Sequence, residues 1–132
     1  MFTYMGIDFF PNTVFDTLPF IYRLHYDYCV LDFGVLHQNN YPEFVRGDHC
    51  LVVGTVSPWN TRQYNDFICH LFTSTTIDQD KVMFLGNLGT KRTPGKWNLK
   101  YPALLHSFPY LDNPFQLTSS DWGILKEILE KM

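Results

Sequence analysis

Short apolar runs separated by amphipathic or polar segments constrain this chain more than any other feature. The runs fall at 2–8 (FTYMGID), 27–33 (DYCVLDF), 49–55 (HCLVVGT), 81–88 (KVMFLGNL) and 103–108 (ALLHSF). Each is too short for a helix and rich in β-formers, which predicts strands. Runs such as Cys50-Leu51-Val52-Val53 suit strands buried on both faces. Strands alternating with helices predict an α/β fold: three layers, a mainly parallel sheet of about five strands, and helices on both faces.

Two helices are the clearest. Residues 57–72 start with Ser57 as N-cap and Pro58 at the first helical position, and Trp59, Tyr64, Phe67, Ile68, Leu71 and Phe72 form an apolar face. Residues 120–132 are capped by Ser119 or Ser120, with Asp121 near the positive end. Their core stripe is Trp122, Leu125, Ile128, Leu129 and Met132, and Glu127 and Lys131 form an i,i+4 pair. Residues 13–24 read as a helix interrupted by Pro19, 41–47 as a helical turn, and 89–100 as a loop or short helix.

The 132 residues suffice for one domain, 1–132. A hydrophobic fraction of 45% argues against disorder. The net charge of −3 gives no reason to expect non-specific nucleic-acid binding. Cys29, Cys50 and Cys69 form no C-x-x-C, and the expectation is three buried free thiols in a reducing, cytosolic compartment. No run approaches a membrane span, and the N-terminus lacks the basic region of a signal peptide.

In an open α/β sheet, ligands lie beyond the carboxyl ends of the strands. That rule nominates Asp8, Asp32 with Gly34, Thr55 with Ser57, Asn87, and Pro109 with Tyr110. Ser57 and Asp8 are equally explained as a cap and a turn former. Asp32 follows an apolar run in the Walker B manner, where a carboxylate can hold Mg²⁺. Five scattered histidines suggest structural roles, and no G-x-S-x-G elbow is present. Lys91, Arg92, Lys96 and Lys100, with Trp97 among them, form a local basic stretch: a solvated loop, or a phosphate or partner contact.

From residue 26 onward the chain resembles the latter part of the ParA/MinD-type deviant-Walker P-loop ATPases. "YDYCVLDFG" resembles their Walker B strand, and "GDHCLVVGTVSPWNTRQYNDFI" the next strand and helix. "KVMFLGN" resembles the strand ending in the asparagine that contacts adenine, which implies Asn87. "HSFPYLDNPF" resembles the late strand and the loop flanking the base, which implies Pro109 and Tyr110. The resemblance implies a P-loop NTPase-like fold in truncated form. The glycine-rich phosphate loop is missing, and "GTKRTPGK" (89–96) is no substitute, because it lacks G-x-x-x-x-G-K-[ST].

The reading that follows is a degenerate ATPase domain serving as a protein-interaction or regulatory module. It has a protein partner or self-association and no catalytic residues. No cofactor is expected in the isolated chain, with Mg and ATP expected only if a P-loop is supplied from elsewhere. A fragment of a longer, active Mg-ATPase is the first alternative, and a receiver-like non-catalytic signalling module the second.

Overall fold

The first run turns back on itself. Met5 and Gly6 both take left-handed backbone conformations, φ +52° and +78°, which is the geometry of a two-residue hairpin turn. A computed structural model, describing residues 1–74, 77–88, 93–98, 104–108 and 116–130, accordingly resolves 2–8 into two strands. β1 (Phe2–Tyr4) pairs antiparallel with β2 (Ile7–Phe9). Phe2 stacks on Phe9 across the pair, with ring centroids 4.9 Å apart. A 3₁₀ turn (Phe15–Thr17) leads into α1 (Leu18–Tyr22). Pro19 lies in the first turn of α1 and starts that helix instead of interrupting it, because its missing N–H is not needed there.

The expected strand at 27–33 does not form; the segment is irregular. Val30 is 93% exposed and Tyr28 hardly less. Its apolar composition supplies strand propensity, but propensity acts through packing and ladder partners. β1 and β2 take each other as partners, at the small closure cost of a two-residue loop.

The chain divides into two compact units, Met1–Val35 and Leu36–Met132. The second holds α2 (Tyr41–Arg46), β3 (Cys50–Thr55), α3 (Thr61–Ser74), β4 (Val82–Asn87), α4 (Thr93–Asn98), β5 (Leu105–Ser107) and α5 (Ser119–Glu130). β3, β4 and β5 form a parallel sheet in that order, with Cys50 opposite Val82, Thr55 opposite Asn87 and Phe84 opposite Leu105. Among the described residues the strands form a three-stranded parallel sheet and a separate antiparallel pair, and the expected five-stranded sheet is not seen.

α3 covers the face that carries Val52, Gly54 and Phe84. Tyr64, Ile68 and Leu71 are buried along one side of the helix, and Phe72 meets Phe84 edge-on at 5.5 Å. The Tyr64 hydroxyl lies 2.8 Å from the Val52 carbonyl and 3.1 Å from that of Leu85, tying the helix to two strands. Trp97 of α4 closes against the Tyr64 ring at 5.6 Å, and the Leu105 N–H donates to the Asn98 side chain. On the opposite face of β3, Leu51 and Val53 remain 41% and 60% exposed.

The caps differ from expectation. The Ser57 carbonyl, not its hydroxyl, accepts from the Asn60 and Thr61 N–H groups, so α3 begins after a turn and leaves Trp59 exposed. α5 is capped by Thr118: its hydroxyl donates to Asp121 at 2.6 Å and accepts from the Asp121 N–H. Ile128 is buried on α5, while Trp122 and Leu129 of the expected stripe are exposed. Lys131 and Met132 lie outside the described residues, and with them the expected Glu127–Lys131 pair; Lys126 pairs with Glu130. Cys50 alone of the three thiols is buried, donating to the Phe44 carbonyl at 3.1 Å; Cys29 and Cys69 are exposed. Cys69 falls on the side of α3 that faces away from Ile68 and Leu71, so a helical position did not amount to burial. No described helix is long and apolar enough to cross a membrane.

Candidate functional site

The carboxyl rim of the sheet is built from backbone register. Because Thr55 sits opposite Asn87, the chain leaving β3 continues beside β4, and the Val56 N–H donates to the Asn87 carbonyl at 2.9 Å. The Phe108 N–H donates to the Gly86 carbonyl at the same distance on the other side. Gly54 and Gly86 are also register partners. A β-carbon at Gly86 would come within 2.9 Å of Val56, so the rim's floor is set by two glycines under bulky neighbours.

Asn87 stands half-buried on this rim. Its Oδ1 accepts the N–H of Leu88 at 2.8 Å, and Leu88 takes φ +57°. One acceptor site of the carboxamide is therefore used by its own turn, which leaves the NH₂ donors and a second lone pair for other partners. Ser57, next along the rim, is only 5% exposed, and its Oγ has no hydrogen-bond partner among the described residues. This orphaned hydroxyl was missed at the sequence level because a serine before a proline and a helix reads as a cap. Pro109 and Tyr110 lie outside the described residues, as do Lys91, Arg92 and Lys100. Trp97 of the basic stretch is a buried side chain.

The two nominated carboxylates, Asp8 and Asp32, belong to the first unit, and neither follows a strand of this sheet in the chain. Asp32 is exposed on the irregular segment, and its Oδ1 accepts the Gly34 N–H at 2.8 Å, with Gly34 at φ +59°. It forms a local turn of the Asx kind. A Walker B magnesium site needs its carboxylate at a strand end beside a phosphate cradle. The surroundings of Asp32 do not fit that demand, and no described group of three acidic, histidine or cysteine side chains could hold a metal ion. Asp8 belongs to the hairpin, where it accepts from the hydroxyls of Thr3 and Tyr26. Those two bonds, Thr3 first, hold its carboxyl below the ordinary value, and Asp8 in turn pushes the Tyr26 phenol up.

Of the eight residues nominated for one rim, the described part of the second unit places Thr55, Ser57 and Asn87 together. Their chemistry is that of a carboxamide and two hydroxyls on a fixed backbone, groups able to donate and accept hydrogen bonds. No family model matches this chain, and neither any curated protein nor any solved structure matches it.

Proposed function

We propose that the chain is a non-catalytic interaction module of the ParA/MinD type, lacking the phosphate loop, and that it associates with a second copy of itself through the outer edge of β3. The parallel pairing of β3, β4 and β5, with Thr55 and Asn87 on one rim, supports the family part of this reading. The association rests on one observation. β3 is six residues long, pairs only with β4 among the described residues, and carries exposed Leu51 and Val53.

Natural edge strands are blunted by charge, proline or a bulge. Cys50-Leu51-Val52-Val53-Gly54-Thr55 contains no charge and no proline. A twofold axis beside this strand would pair it antiparallel with its own copy, giving self-complementary ladder bonds and a six-stranded sheet. Leu51 and Val53 would then meet their counterparts across the axis, burying apolar surface that is exposed in one chain.

Light scattering after size exclusion tests this directly. The expected result is a dimer at about 100 μM protein, a concentration suited to weak association, that becomes monomeric in Val53→Lys. Val53 is exposed, so that substitution leaves the packed core in place. A monomer throughout that range, or a dimer unaffected by Val53→Lys, would sink the proposal.

A further inference from the structure

The amino ends of the same strands form a second feature, independent of the association proposed above. Alternation along β3 buries Cys50 and Val52 and leaves Leu51 and Val53 on the other face. Carried across the register, the open face receives His49 before β3, Lys81 before β4 and Met83 on it, and Leu104 and His106 at β5. These five residues line a cleft of about 350 Å³, to which Asp80 and, from the buried face, Cys50 and Val82 also contribute.

The cleft is large enough for a small molecule, since ligand pockets start at about 300 Å³. Met83 and Leu104 supply apolar lining. Among the described residues, the lining carries the Lys81 ammonium and the His49 and His106 imidazoles against the Asp80 carboxylate. Lys81 makes no ion pair among the described residues. Its charge is felt at Cys50, where it opposes the upward push of burial on that thiol.

From this convergence of charge and apolar surface we infer that the cleft is a binding site for a small organic acid. The carboxylate is held by the Lys81 ammonium and by N–H donation from His49, its neighbour across the register. The hydrocarbon body lies on Met83 and Leu104. The ligand therefore approaches at the amino ends of the strands, away from the rim where Asn87 stands.

Phenylacetate and phenethylamine share an aromatic body of the same size and carry opposite charges, so together they separate charge from apolar contact. Titration of ¹⁵N-labelled protein is expected to shift the amides of Met83, Leu104 and His106 with phenylacetate, with a dissociation constant of about 1 mM. Phenethylamine is expected to bind at least about tenfold more weakly, and Lys81→Gln to lose about tenfold in phenylacetate affinity while keeping the wild-type spectrum elsewhere. His49→Gln provides a second variant, and the two-ligand comparison on the wild-type chain stands whether or not either variant folds. Equal binding of the two probes overturns the assignment. So does an absence of shifts up to about 20 mM phenylacetate, or undiminished affinity in a folded Lys81→Gln.

Discussion

The ring of Tyr64 lies flat against Gly54, so near that a β-carbon at residue 54 would fall within the ring's own envelope. This contact sets how closely α3 approaches the sheet, and the Tyr64 hydroxyl then reaches the carbonyls of Val52 and Leu85. Burial pushes the phenol's pKa far above its usual value, so it stays a donor across the accessible pH range. Gly54→Ala is expected to destabilise the second unit by about 3 kcal/mol through overpacking. Tyr64→Phe, which keeps the ring and removes the donor, is expected to cost about 1 kcal/mol. Urea unfolding followed by circular dichroism measures both; a Gly54→Ala variant as stable as the parent would mean that α3 is not seated as described.

The three thiols should separate by accessibility. Cys29 and Cys69 are exposed, whereas Cys50 is buried, bonded to the Phe44 carbonyl and held protonated by desolvation. A thiol must be both reached and ionised to react. Ellman's reagent at neutral pH is expected to label two thiols quickly and the third only on unfolding. Rapid modification of Cys50 would contradict its placement beneath α2.

Asp8 and Asp121 both have depressed carboxyl pKa values, Asp8 through Thr3 and then Tyr26, Asp121 through the Thr118 hydroxyl and backbone. A carboxylate with a folded value below its unfolded one stabilises the fold above the unfolded value and loses that contribution as pH falls through the folded one. The hairpin and the start of α5 should therefore weaken as the pH drops below about 4. Carboxyl ¹³C titration should place both midpoints below 3.8. Thr3→Val should raise the Asp8 midpoint, and Thr118→Ala should cost the second unit about 1 kcal/mol through loss of its cap. An Asp8 midpoint unmoved by Thr3→Val would remove Thr3 as the cause.

Calorimetric titration with ATP–Mg²⁺ is expected to give no micromolar binding and no hydrolysis. Asn87 offers its donor half to a base, and each such hydrogen bond contributes about 0.5–1.5 kcal/mol net. Micromolar affinity requires about 8 kcal/mol. Micromolar binding abolished by Asp32→Ala would show that a phosphate cradle exists elsewhere in the chain, and the non-catalytic reading would fall.

What the sequence determined by itself is what short-range chemistry decides. The apolar runs at 49–55, 81–88 and 103–108 hold the strands Cys50–Thr55, Val82–Asn87 and Leu105–Ser107, which pair in parallel as their spacing by helices requires. α3 and α5 follow from periodicity to within a few residues at each end. The shared rim of Thr55 and Asn87 followed from the same alternation. Tertiary structure alone decided the fate of residues 27–33, which are apolar like Val82–Asn87 yet form no ladder. It decided that Ser57 is buried without capping, that Asp32 closes a local turn with Gly34, and that Cys29 and Cys69 face outward. The physical reason is common to all of these. A helix closes its own hydrogen bonds and a two-residue hairpin nearly so, but a strand in a parallel sheet, like the burial of a side chain, exists only through partners distant in the chain, and no local run of residues specifies them.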